Sequence, residues 1–224
     1  MTPASPVSGG DIVSLLRPFV AAPSVLPGGA VAVGEVLPGL AAAIAVDLGR
    51  QVNFLPAASV AALGGQDAVW ATAMANLRQL PPMSAASVES AEGHSDSIVY
   101  ELRSDDPFGA SRICHPDGLL AAAGVRPNRF GLLVAVPSWY VVLLHVITGR
   151  GVLSALNLMG QAASQEHGSA SGPQGVSPDV FFLTGNGQVQ TVVHGDGMDG
   201  LVVNTGGLLG EVLFGAGGPL ADRA

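Results

Sequence analysis

An α+β fold, one domain with a mixed or antiparallel sheet and packed helices, is what the amino-acid sequence predicts, on three observations. Residues 66–79 repeat apolar side chains (Trp70, Ala73, Met74, Leu77) at helical spacing and are closed by Pro81-Pro82. Residues 179–184 and 188–194 are short apolar runs joined by Gly185-Asn186-Gly187, which spells a hairpin. Hydrophobic residues make up 48% of the 224 positions and charged residues only 12%, so a continuous core is affordable and a disordered chain is not expected.

Taken in order, residues 1–10 (MTPASPVSGG) are small and polar with two prolines and read as a disordered lead-in. A short helix follows, with Asp11 as N-cap and Ile12, Leu15, Leu16 and Phe19 on one face; Pro18 keeps it brief. Residues 23–39, with Pro23, Pro27 and Pro38, read as an extended connection. Strands at 42–46 and 51–55 meet across Asp47-Leu48-Gly49-Arg50 as a hairpin. The helix at 66–79 begins after Gly64-Gly65, with Asp67 in its first turn, where a carboxylate suits the helix dipole.

Residues 82–96, rich in Ser, Ala and Glu, read as a flexible loop, followed by strands at 97–102 and 131–136. Ser138 is placed to cap a helix running to His145, although Val141, Val142 and Val146 suit a strand equally well. A second helix spans 152–163. Residues 164–178 (SQEHGSASGPQGVSP) have the composition of a linker and are expected to form a mobile surface loop. The apolar, glycine-broken tail at 201–214 carries no pattern that assigns it.

All nine basic residues are Arg, scattered singly, and the absence of Lys reads as a coding bias. With net charge -8 the surface disfavours nucleic acid and anionic membranes. The apolar stretch at 132–147 is broken by Pro137, Ser138 and His145 and falls short of the roughly 20 residues a membrane span requires. The N-terminus lacks the basic and apolar segments of a secretory signal, and the single Cys114 forms no internal disulfide; a cytoplasmic protein is the expectation.

Three segments in order resemble the YtpQ-like family of uncharacterised bacterial proteins. They are Val36-Leu37-Pro38-Gly39-Leu40 leading through Asp47-Leu48-Gly49 to Val52-Asn53-Phe54; the helix with Trp70, Ala73, Asn76, Leu77 and Arg78; and Val134-Ala135-Val136-Pro137-Ser138 followed by Val176-Ser177-Pro178-Asp179-Val180-Phe181. The resemblance implies an α+β domain of mixed strands and helices. It transfers no activity and no catalytic residue.

Three of the five histidines stand in H-x-D triplets, His94/Asp96, His115/Asp117 and His194/Asp196. On a strand, positions i and i+2 share a face, so an imidazole and a carboxylate could chelate one ion. The competing explanation is that Asp and Gly mark turns and the histidines are solvent-exposed. Cys114-His115 invites a thiol nucleophile, but neighbours on a strand face opposite ways, and a lone cysteine is more often a small buried hydrophobe. Gly168-Ser169-Ala170-Ser171-Gly172 has Ala170 where a serine-hydrolase elbow needs serine, and a lysine-free chain has no phosphate-binding P-loop. Asn76 and Arg78 have structural explanations, one satisfying a buried backbone group and the other favouring the helix C-terminus. Trp139 and Tyr140 would anchor a partner or fill the core.

No constellation compels a reaction, and catalytic residues are not identified. The first expectation is therefore a non-enzymatic binding or protein-interaction protein, an adaptor or immunity-type factor, with a protein partner and no cofactor. The alternatives are a metal-dependent hydrolase or lyase using the H-x-D residues, and a subunit of a larger assembly held by the apolar tail. The oligomeric state is not encoded in any pattern found.

Overall fold

Two antiparallel sheets, each covered on its outer face by helices, make up the computed structural model, which describes residues 9–49, 51–89, 96–195 and 201–221. The smaller sheet comes first in the chain. A short helix α1 (Gly9–Leu15) runs directly into β1 (Leu16–Ala21), and β2 (Ala32–Leu37), β3 (Leu40–Asp47) and β4 (Val52–Phe54) follow. β3 is central: β1 lies along one edge, and β2 and β4 pair with its N- and C-terminal halves. The β3–β4 hairpin is as predicted. Its turn is closed by the Leu48 N–H on Gln51 O, with Gly49 at φ +79°. Two helices, α2 (Ala57–Ala62) and α3 (Gln66–Leu77), cover this sheet through Val60, Val69 and Ala73 against Leu16, Ile44 and Val46.

The larger sheet takes the rest of the chain: β5 (Ser84–Val88), β6 (Val99–Arg103), a helix α4 (Pro116–Ala122), β7 (Leu132–Ser138), β8 (Val141–Val146), a long helix α5 (Val152–Ser169), β9 (Val180–Leu183), β10 (Val189–Gly195), β11 (Leu201–Val203) and a closing helix α6 (Gly207–Phe214). Its strand order is β11-β10-β9-β7-β8-β6-β5. Along β7, Leu133 and Ala135 face α5, while Val134 and Val136 face the small sheet. Both faces are dry, so residues 132–137 are apolar throughout and the strand shows no alternation of polarity. On the second face, Val134, Val142 and Phe181 meet Val20, Leu37 and Ala42 of the small sheet. That shared core joins the two sheets into one α+β domain, a stack of helix, sheet, sheet and helix.

Several expectations are corrected. The N-terminal helix does not reach Phe19: it ends at Leu15, and Leu16–Ala21 form an edge strand. Pro18 is accommodated there because only one side of β1 is paired. Asp11 lies inside α1 and not at its cap. Of the segment expected to be disordered, Gly9 and Gly10 open α1 and residues 1–8 lie outside the described residues. The stretch 23–39 is not merely a connection, since a 3₁₀ turn (Pro23–Val25) and β2 are built from it.

The predicted loop at 82–96 contains β5, and residues 90–95 lie outside the described residues. The helix expected between Ser138 and His145 is the strand β8. Trp139 and Tyr140 form a two-residue turn, and Leu132–Ala135 pair with Leu143–Val146. Burial between two strands overrides the serine cap, because Val141 and Val142 suit a pleated surface.

The linker-like stretch 164–178 is ordered. α5 continues to Ser169, and the backbone after it zips onto β7 through Trp139 N–H to Gln174 O, Val176 N–H to Pro137 O and Ser177 N–H to Val136 O. Pro137, which has no N–H to give, sits where the β7–β8 register slips. The tail resolves into β11 and α6, with Leu209 and Leu213 fully buried against the large sheet.

Candidate functional site

The described members of the H-x-D pairs, Asp96, His115, Asp117 and His194, do not come together. Asp96 precedes β6 and accepts the Gly151 N–H at 3.0 Å, so it caps the start of α5 from across the chain. Gly149 and Gly151 are glycines for that reason: a Cβ at either would run into Asp96. His115 and Asp117 straddle the start of α4, where the backbone turns helical and the two side chains do not share a face; Asp117 is exposed in the first turn. His194 on β10 is 58% exposed, and its Nδ1 lies 3.8 Å from Asp179. His94 and Asp196 lie outside the described residues. Four strand steps separate β10 from β6, roughly 19 Å at about 4.8 Å each. Among the described residues no group of three His, Cys, Asp or Glu side chains could hold a metal ion.

Burial pushes the Cys114 thiol up to about 12, which leaves it protonated and a poor nucleophile at neutral pH. Asn76 does what a helix-surface amide beside a chain crossing can do: its Nδ2 donates to Val13 O at 2.9 Å and Leu16 O at 3.1 Å, tying the α1–β1 junction to α3.

Two clefts remain. One, of about 310 Å³, opens at the end of β6 and β8 and is lined by Asp96, Tyr100, Arg126, Thr148 and His145. His145 is 1% exposed. Its Nδ1 donates to Ile98 O at 2.8 Å, so the proton resides there and Nε2 presents a lone pair. That Nε2 is closed off from solvent and has no partner, and desolvation holds the imidazole below its ordinary pKa against the opposing pull of the Ile98 carbonyl and Asp96. The group is a buried neutral histidine.

The other cleft, of about 260 Å³, lies between the end of α3 and α4. Its walls are apolar (Leu77, Leu80, Met83, Leu119), and the polar side chains that line it are Arg78, Arg112 and His115. Arg112 is held by Asp106 at 2.7 Å, while its buried Nε has no partner. The His115 ring rests on Gly118, where a Cβ would come within 2.9 Å of it. The H-P-D-G run thus positions an imidazole over the first turn of α4. Sequence reading singled out His115 and Arg78 for other reasons and missed Arg112, which sits in a 3₁₀ turn (Ala110–Cys114) with no periodic signature.

A third feature is an edge. β5 ends the large sheet, pairs with β6 on one side only, and all five of its residues are exposed. It contains neither charge nor proline. The other edges among the described residues are guarded or short: β1 carries Arg17 and Pro18, β2 carries Glu35 and two register shifts, and β4 and β11 are three residues long each.

Fold and surface together define an antiparallel α+β protein that carries, among the described residues, an uncharged exposed sheet edge at β5 and an apolar cleft lined by Arg78, Arg112 and His115. Comparison with known protein families, curated proteins and solved structures finds no match. Among the described residues no helix is long and apolar enough to cross a membrane.

Proposed function

We propose that this is a non-enzymatic interaction protein that works by strand addition at β5, and that the added strand comes from a second copy of the chain. The observation that carries the reading is the uncharged edge, five exposed residues with one row of backbone groups unpaired among the described residues. An antiparallel two-fold pairing centred on Ala86 sets Ala86 opposite itself, Ala85 opposite Ser87 and Ser84 opposite Val88. Every side chain is Ser, Ala or Val, so neither face of the joined sheet is obstructed. The contact is isologous and closes on itself.

Because each copy carries net charge -8, the pairing is opposed by long-range repulsion that salt screens. Association should therefore strengthen as salt is raised. Sedimentation equilibrium from micromolar to submillimolar protein tests this, with Ala86→Lys placing two like charges at the two-fold axis. A dimer that salt strengthens and Ala86→Lys weakens supports the proposal. A monomer throughout, or a dimer indifferent to Ala86→Lys, would end it.

A further inference from the structure

The cleft between α3 and α4 is lined by two of the nine arginines and one of the five histidines, and by no acidic side chain, in a chain that carries 17 acids. A solvated crevice on so acidic a surface would be expected to collect carboxylates. Three cationic or donor groups over an apolar floor are instead what recognition of an anion with a hydrocarbon body requires. We propose that this cleft binds a small monocarboxylate with an apolar tail, the tail against Leu77, Leu80, Met83 and Leu119 and the carboxylate toward Arg78 and His115.

Each part of the geometry has a place in that assignment. Arg112 is already neutralised by Asp106 at 2.7 Å, so it lines the wall as a fixed polar group and the free charge of the cleft comes from elsewhere. Arg78 pairs with no carboxylate among the described residues, is exposed at the end of α3 and supplies the free charge. The helix terminus beneath it does not compete for that charge strongly, because its last carbonyls are closed by the N–H groups of Arg78, Gln79 and Leu80. The His115 ring lies over Gly118, where the missing Cβ leaves room for it, and there it lines the cleft. The volume of about 260 Å³ sits just below the usual range for small-ligand sites, which favours a body of a few carbons over a drug-sized molecule.

Octanoate is the probe, with 1-octanol as the same body without charge and acetate as the same charge without body. Calorimetric titration of the whole chain should show octanoate binding at least about tenfold more tightly than either control, a factor worth about 1.4 kcal/mol. Arg78→Gln, a surface change that leaves the fold intact, should weaken octanoate by about tenfold and leave 1-octanol unchanged. Ala122→Phe, at the half-buried lip of the cleft, should weaken octanoate and 1-octanol alike. Equal binding of octanoate and 1-octanol, octanoate binding unmoved by Arg78→Gln, or no binding at millimolar octanoate overturns the assignment. The readout is independent of self-association, since it is made on Ala86→Lys protein as well.

Discussion

Acidifying the solution should unfold this protein partly through one side chain, His145. The residue is 1% exposed on β8, between Leu133 on β7 and the start of β6. Its Nδ1 is spent on Ile98 O, and its Nε2 has neither partner nor solvent. Protonating Nε2 in place would bury a charge, so desolvation lowers the folded-state pKa. In the unfolded chain the imidazole takes its proton near pH 6.5. Below that pH the unfolded state binds more protons than the folded one, and stability falls as pH falls. It is fully present above pH 6.5, and about 1.4 kcal/mol is lost per pH unit while the folded imidazole stays neutral.

His145→Leu removes that dependence. It also removes the bond to Ile98 O and the unsatisfied Nε2, two effects of opposite sign and about 1 kcal/mol each, so stability near neutrality should change little. Urea denaturation at about pH 7.5 and about pH 5.5 provides the assay. With a slope of about 3 kcal/mol per molar urea, the wild-type midpoint should drop further than that of His145→Leu, the limit being about 0.5 M for an imidazole that stays neutral throughout. Midpoints that fall in parallel would refute the reasoning, because the missing stability would then belong to other groups.

Two further outcomes follow from packing. Phe19→Ala should cost about 3–5 kcal/mol by thermal or chemical denaturation, since Phe19 is fully buried and meets Phe54, Phe108 and Trp139 edge to face at centroid distances of 5.3, 6.1 and 5.0 Å. Cys114, its thiol raised to about 12 by burial, should resist iodoacetamide at neutral pH and become reactive only on denaturation, as read by mass spectrometry; rapid labelling of the folded protein would reopen a nucleophilic role.

How far the candidate site was legible can be judged from His115. Its sequence context, H-P-D-G, drew attention as a metal-ligand pair, which assumed a strand. The local chain starts a helix instead, so Asp117 points away and the imidazole gains Arg78 and Arg112 as neighbours. Those arginines come from two segments, 34 positions apart, that no local pattern connects. Asp96 was singled out in the same way, and its role as a cap for α5 depends on Gly151, 55 positions further on.

By itself the sequence determined the elements whose signal is local. Periodicity with Asp67 and Pro81-Pro82 sufficed for α3, and turn chemistry sufficed for the hairpins β3–β4 and β9–β10. Tertiary structure alone decided the segments where local preference is balanced or misleading. Residues 141–146 became a strand because their two faces are filled by α5 and by the small sheet. The Ser- and Gly-rich run after α5 became ordered because β7 offers backbone groups to pair with it. A side chain's surroundings in these places are set by residues far away in the chain, and desolvating apolar surface on both sides of a sheet outweighs the few tenths of a kcal/mol by which local propensities differ.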